Sequence, residues 1–248
     1  MRIKTLLIAA AALAVGVISS EAQVYSQNIV GYANVPCNDA NYFYMLQCPF
    51  NVGVSNGANE IFGTNLPDTS TVQTWSEPNQ TYVTAVYDGS QGNGIYWYLS
   101  DGLTPGPAPI LLPGQGFFLL PVNGTVTNTF AGAVAVPSGG TNIMQLNDAN
   151  NFYLVGSTIP YSGSVSNVVA GTSQGINLNG LPDTSTVQTW DEPNQSYVTF
   201  VYDTSQGNGI FWYQSDGLTP GPSPSVNVGQ ALFVLPVNGT YNWTQSLP

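Results

Sequence analysis

The chain has 248 residues, of which 43% are hydrophobic, 12% aromatic and only 6% charged, and its formal net charge is −11. This hydrophobic content is enough for a packed core, and it excludes the disordered class, which combines high charge with low hydrophobicity. The length fits two domains of ordinary size or one large all-β domain.

The N-terminus has the pattern of a secretory signal peptide. The only two basic residues, Arg2 and Lys4, precede an apolar run over residues 6–18, and the small residue Ala22 follows. We predict cleavage after Ala22, with a retained N-terminal anchor as the alternative. The remaining chain, 23–248, is then exported and is secreted or held at the cell surface.

Removal of residues 1–22 leaves a chain without Lys, Arg or His, in which twelve of the thirteen acidic residues stay. Binding to nucleic acid or to an anionic lipid surface requires cationic side chains, so both are excluded. Nucleophilic systems that use histidine, lysine Schiff bases and His-ligated zinc are excluded for the same reason. We predict no cofactor.

Cys37 and Cys48 are the only cysteines. In a related stretch later in the chain, Leu146 and Ser157 stand at the corresponding positions, so both cysteines are missing there together. Because export leads to an oxidising compartment, we expect a Cys37–Cys48 disulfide. Two free structural thiols are the alternative.

The chain is a tandem duplication. Residues 66–125 and 181–240 align without a gap at an offset of 115, and they differ at fourteen of sixty positions, so forty-six are identical. A weaker match at an offset of 109 precedes them. We infer two copies, 23–136 and 137–248, whose length suits whole domains rather than solenoid repeats. One pseudo-symmetric fold, half from each copy, is the alternative.

Strand patterns dominate each copy. In the first copy, residues 71–75 and 81–87 alternate around the turn 76–80, which predicts a β-hairpin. Residues 95–99 and 115–120 predict further strands, and helices should not exceed a turn or two. The predicted fold class is all-β: two tandem β-sandwich or partly open barrel domains after a signal peptide.

Two segments carry a resemblance to a known group. Residues 26–35 (SQNIVGYANV) and 113–118 (PGQGFF) resemble motifs of uncharacterised secreted, β-rich paralogous proteins of Verrucomicrobia-like bacteria. The second copy departs from the pattern, because VGQALF at 228–233 replaces PGQGFF. The resemblance implies export and a repeat architecture, and it implies no catalytic residue.

Acidic residues offer the one catalytic device that this composition permits, a carboxylate pair as in glycoside hydrolysis. Five acidic positions recur in both copies: Asp39/Asp148, Asp68/Asp183, Glu77/Glu192, Asp88/Asp203 and Asp101/Asp216. Those within the sixty-residue segments adjoin turn residues, where a carboxylate hydrogen-bonds local backbone N–H groups. We therefore predict that the protein is not an enzyme, with a carboxylate hydrolase as a remote alternative.

The Gly-rich loops 88–94 and 203–209 are weak candidates for calcium sites. Their oxygen ligands would come from Asp88 and Asn93 in the first copy and from Asp203 and Asn208 in the second. The spacing departs from the calcium-loop pattern, and no bidentate acid follows. We predict no metal.

Eight recurring aromatic residues are candidates for ligand binding: Trp75, Tyr82, Trp97 and Tyr98 in the first copy, and Trp190, Tyr197, Trp212 and Tyr213 in the second. Exposed rings among Asn, Gln, Ser and Thr suit stacking on sugars. This pattern is compatible with a tandem carbohydrate-binding module for an extracellular polysaccharide, but it favours the next interpretation over this one. The alternative is that the rings fill a small β core.

The near absence of lysine leaves strand edges without their usual protection against pairing with other chains. Residues 24–35 are a candidate donor strand, or simply the first strand of their own domain. Our first hypothesis for function is therefore an exported, non-catalytic structural or adhesive protein that self-associates through strand edges. The carbohydrate-binding module is the second hypothesis.

Overall fold

The computed structural model describes residues 29–92, 94, 96–135, 140–167, 175–207 and 209–246. The predicted signal peptide and residues 24–28 of the candidate donor strand lie outside this set. Within it, no helix is long and apolar enough to cross a membrane.

Strands make up most of the described structure, and the one α-helix in it is short, α1 (Ala58–Phe62). The strands of the first copy are β1 (Val30–Cys37), β2 (Tyr44–Gln47), β3 (Phe50–Asn51), β4 (Thr71–Ser76), β5 (Thr81–Tyr87), β6 (Trp97–Tyr98), β7 (Gly116–Leu120) and β8 (Val126–Val134). Those of the second copy are β9 (Thr141–Leu146), β10 (Tyr153–Gly156), β11 (Gly163–Ser164), β12 (Ser185–Asp191), β13 (Ser196–Tyr202), β14 (Trp212–Gln214), β15 (Ser225–Val226), β16 (Ala231–Leu235) and β17 (Tyr241–Ser246).

Each copy contains a five-stranded antiparallel sheet with the same strand order. The order is β2-β7-β4-β5-β6 in the first copy and β10-β16-β12-β13-β14 in the second. The first copy adds the sheet β1-β8-β3, and the second adds the pairs β9-β17 and β11-β15. These sheets confirm the all-β prediction, and since none of them closes into a barrel within the described residues, the sandwich is the form that fits.

The two sheets of the first copy enclose one core because alternate side chains of each strand point inward. Val126 and Phe130 of β8 are buried, whereas Thr127 and Thr129, which lie between them in the sequence, are exposed. The second copy has its own core, which includes Val187, Leu232 and Trp243.

The predicted hairpin forms between β4 and β5, with Trp75 directly opposite Tyr82. Its counterpart in the second copy pairs Trp190 with Tyr197. The aromatic pair of each hairpin therefore lies on one face of its five-stranded sheet.

Strand β7 is buried on both faces. The alternation of side chains along a strand requires only that one face is buried in the core. Phe117 and Leu119 point into the core of the first copy. Phe118 points to the opposite face and is only 3% exposed, because the second copy covers it. This second buried face positions the candidate site.

The disulfide prediction is wrong, because both cysteines are buried free thiols. Cys37 Sγ accepts a hydrogen bond from Asn128 Nδ2 at 3.4 Å, and the Cys48 thiol donates to the Phe50 carbonyl at 3.4 Å. Each sulfur therefore has a partner near its own strand, and both behave as small apolar core residues.

Thiol labelling checks this correction. Iodoacetamide should label two thiols per chain in denatured, unreduced protein and none in native protein. Burial raises the pKa of Cys37 to about 12 and that of Cys48 to about 11, so the reactive thiolate is scarce at neutral pH. A reduced sample provides the full count, and an unreduced sample without label would contradict the free-thiol structure.

Candidate functional site

Four of the eight aromatic candidates are core residues within their own copies. Trp97 and Tyr98 are 2% and 1% exposed, and Trp212 and Tyr213 are 4% and 0% exposed. The Trp97 indole Nε1 donates to Asn59 Oδ1 at 2.6 Å. A sugar cannot stack on rings buried in this way, so these four residues form no exposed platform.

The other four candidates lie between the two copies. We call the shared cluster the aromatic junction; it consists of Phe43, Trp75, Tyr82, Phe118, Phe152, Trp190, Tyr197 and Phe233. Phe118 of the first copy meets Trp190 edge-to-face at a centroid distance of 5.1 Å, and Phe233 of the second copy meets Trp75 at the same distance. Each copy thus packs one phenylalanine against the Trp and Tyr rings of the other.

Hydrogen bonds across the junction repeat the same exchange. Trp75 Nε1 donates to the Phe152 carbonyl and Trp190 Nε1 to the Phe43 carbonyl, both at 2.7 Å. The Tyr82 and Tyr197 hydroxyls, which are equivalent by the duplication, meet each other at 2.6 Å. The junction therefore has approximate two-fold symmetry, with this hydroxyl pair at its centre.

Glutamine side chains at the hairpin turns complete these bonds. Gln80 Oε1 accepts from the Phe152 N–H, and Gln195 Oε1 accepts from the Phe43 N–H, both at 2.8 Å. Both glutamines have φ of +49°, a conformation that L side chains rarely adopt. This turn conformation directs the side-chain amide of each glutamine to the other copy. There it provides the hydrogen-bond acceptor for the backbone N–H of Phe152 or Phe43.

Two cavities flank the aromatic junction, at positions related by the same symmetry. The larger, which we call the polar cavity, has a volume of about 550 Å³ and is lined by Tyr44, Trp190 and Glu192 among others. The smaller, the apolar cavity, has a volume of about 300 Å³ and has Tyr153, Trp75 and Glu77 at the equivalent places.

The two glutamates differ in their surroundings. Glu77 Oε1 accepts a hydrogen bond from Asn151 Nδ2 at 2.6 Å. The first copy has Tyr42 where the second has Asn151, so Glu192 lacks this amide. Burial raises the pKa of Glu192, while a hydrogen bond from the Tyr44 hydroxyl acts in the opposite direction. Glu192 is therefore a desolvated carboxyl on the wall of the polar cavity.

The differences between the copies concentrate at the cavities. Eight of the fourteen substitutions between the sixty-residue segments fall within 108–119 and its counterpart 223–234. Ser225 and Asn227 line the polar cavity, where the first copy has Ile110 and Leu112. The duplication has therefore produced one cavity with polar walls and one with apolar walls.

The aspartates accept hydrogen bonds from turn residues, as the sequence predicts. Asp101 Oδ1 accepts from the N–H groups of Leu103 and Thr104, and Asp216 repeats the pattern in the second copy. These bonds lower the pKa of both carboxyls.

The calcium candidates divide between described and undescribed residues. The carboxylates of Asp88 and Asp203 accept hydrogen bonds from the hydroxyls of Ser90 and Ser205, each at 2.6 Å. Asn93 and Asn208 lie outside the described residues. Across the described chain, no three acidic or cysteine side chains come together as metal ligands.

Comparison with protein-family models, curated proteins and solved structures finds no match to this chain. The site therefore has to be interpreted from its own geometry. Sequence reasoning missed Phe118, Phe233 and the polar cavity. The available signal was the cluster of differences around 110–113 and 225–228, which marks a surface where the copies diverged.

Proposed function

We propose that the protein is an exported, non-catalytic structural or adhesive component that associates with further copies of itself through strand edges. The observation that carries the proposal is the outer edge of β1. Export rests on the signal-peptide pattern of residues 1–22.

Strand β1 is the end strand of its sheet. The Val134 N–H donates to the Ile29 carbonyl at 2.8 Å, which fixes the alternation of the antiparallel ladder. The backbone groups of Val30 and Tyr32 therefore point away from β8. Pro36 is also one of the residues whose backbone groups point away from β8, so its missing N–H removes no hydrogen bond between β1 and β8.

The chemistry of this edge favours pairing. Val30 is 74% exposed and Tyr32 is 73% exposed. No residue from 29 to 36 is charged, so an approaching strand meets no repulsion and no lysine. A second neutral edge strand, β9, is the counterpart of β1 in the second copy, and its Ile143 is 60% exposed.

These two neutral edges allow two kinds of assembly. Pairing of β1 with β1 closes a two-fold dimer, whereas pairing of β1 with β9 of the next molecule continues into a filament. A structural or adhesive role requires the second type of contact. The mass of the assembly therefore distinguishes a closed dimer from a growing matrix.

Light scattering tests the proposal on chain 23–248 across about a hundredfold range of concentration. We expect the mass to climb with concentration for the natural sequence and to stay monomeric for Tyr32→Lys, because the new charge would be desolvated in the paired edge. Val83→Lys is the matched control: it places the same charge at a position that is 57% exposed on β5, outside β1 and β9, and it should leave the rise of mass with concentration unchanged. A constant monomer mass for the natural chain would overturn the proposal.

A further inference from the structure

We propose that the polar cavity binds a small neutral saccharide of one or two sugar rings. This assignment does not rest on self-association, although Asn34 and Pro36 at the end of the β1 edge line the cavity, and it uses Trp190 together with wall residues that the aromatic pattern of the sequence does not single out.

The size of the cavity fits such a ligand. Its volume of about 550 Å³ lies within the roughly 300–1,000 Å³ of small-molecule sites. Asn227 and Ser225 remain exposed at its wall, so the cavity is accessible from solvent. The lining comes from both copies, and the aromatic junction holds their relative position.

The walls offer what a sugar ring requires. Trp190 supplies an aromatic wall, and its indole is fixed by the bond to the Phe43 carbonyl. Amides and hydroxyls around it, including Asn34, Thr189 and Gln230, can both donate and accept hydrogen bonds. The indole ring suits the C–H face of a sugar, and the neutral polar groups suit the hydroxyls of the same ligand.

Charge argues for a neutral ligand rather than an anion. The sequence has no Lys, Arg or His after position 4, so nothing in the described wall can neutralise a phosphate or carboxylate. The Glu192 carboxylate would repel an anion, but it can accept hydrogen bonds from sugar hydroxyls. An organic cation could also approach Glu192, and the experiment below includes one.

The apolar cavity provides the internal comparison. The turns at both cavities have the same backbone bonds: Gln115 N–H donates to the Leu112 carbonyl at 2.9 Å, and Gln230 N–H donates to the Asn227 carbonyl at 3.0 Å. Only the side chains differ. Replacing Asn227 by leucine therefore installs a residue that this same turn already carries in the other copy, with little risk to folding.

Isothermal titration of chain 23–248 with methyl glucoside, methyl galactoside, methyl N-acetylglucosaminide and cellobiose tests the proposal. We expect one site per chain for at least one of these probes, and a rise in Kd of about tenfold or more for Asn227→Leu. Ser225→Ile, the other exchange toward the first copy, should weaken the same probe. Leu112→Asn, in the apolar cavity, is the control that should leave Kd unchanged.

Two results would overturn the assignment. One is a Kd weaker than about 10 mM for every glycoside, or glycoside binding that survives both Asn227→Leu and Ser225→Ile. The other is binding of tetramethylammonium without binding of any glycoside, which would make the cavity a cation site at Glu192. The Tyr32→Lys monomer should keep the glycoside affinity, so a failure of self-association is read separately from a failure here.

Discussion

Phe118→Ala should lower the free energy of unfolding by about 3–5 kcal/mol, as expected for removal of a fully buried phenylalanine ring. Phe118 is 3% exposed, and its ring lies within 6.3 Å of four others, those of Phe43, Tyr82, Trp190 and Tyr197. Three of these rings belong to a hydrogen-bonded frame and cannot collapse into the space that the ring leaves. Urea unfolding monitored by tryptophan fluorescence measures the loss.

Two further variants make this experiment decisive. Val83→Ala removes an exposed side chain from the same sheet and should change the stability by less than about 0.5 kcal/mol. Phe233→Ala, the symmetric change, should match Phe118→Ala, and the double variant should cost less than their sum because both rings belong to one cluster. A loss below about 1 kcal/mol for Phe118→Ala would show that the junction does not hold the copies together.

Alternation along the chain was sufficient to predict the β4–β5 hairpin and the all-β class, because a period of two is a local property. It was not sufficient to predict what covers each face. Trp75 and Tyr82 could equally face solvent, a ligand or a second domain, and only the folded position of Phe233 decides between them. Such contacts join residues more than 150 positions apart.

Trp97 and Tyr98 illustrate a second limit. Adjacent strand residues point to opposite faces, so the sequence predicts one buried ring and one exposed ring. Both are buried, because the following loop folds back over β6: Gly106 N–H donates to the Trp97 carbonyl at 3.0 Å, and Pro105 bridges to Tyr98. The direction of this loop depends on packing that no local pattern encodes.

The cysteines show a limit of a different kind. Their paired absence from the second copy suggested a bond between them, yet it is also what a shared core position produces. Cys37 and Cys48 both belong to the first core, where they pack with residues of both sheets. Co-occurrence in the sequence therefore indicated a shared core correctly and the chemistry wrongly.

Alkaline pH should unfold the protein steeply, starting near pH 9. The folded state holds Cys37 and Cys48 with raised pKa values of about 12 and 11, against 9.0 as the ordinary value. Both neutral thiols are favoured by folding, so this stability is complete below pH 9 and is lost as the pH rises toward the folded-state pKa. Between the two pKa values, each thiol lowers the free energy of unfolding by about 1.4 kcal/mol per pH unit, and the two thiols together lower it by about 2.7 kcal/mol per pH unit.

Buried tyrosines make the free energy of unfolding fall more steeply with pH above pH 10. Burial raises the pKa of Tyr44 to about 12, and it also raises the pKa values of Tyr82, Tyr197 and Tyr241. In the unfolded chain these hydroxyls ionise near pH 10, so every further pH unit favours the unfolded state. With a total stability of about 5–15 kcal/mol, the midpoint should lie near pH 11.

Urea unfolding at a series of pH values measures these slopes, with tyrosinate absorbance recorded in parallel. Cys37→Ala should halve the slope between pH 9 and 10 while leaving the steeper part above pH 10 unchanged, because the alanine cannot ionise and the tyrosines are untouched. The part of the tyrosinate signal that comes from buried hydroxyls should rise together with unfolding, since burial raises the pKa of Tyr44 and of Tyr241 in the folded state. A tyrosinate signal that is complete while the chain is still folded would contradict this coupling between ionisation and unfolding.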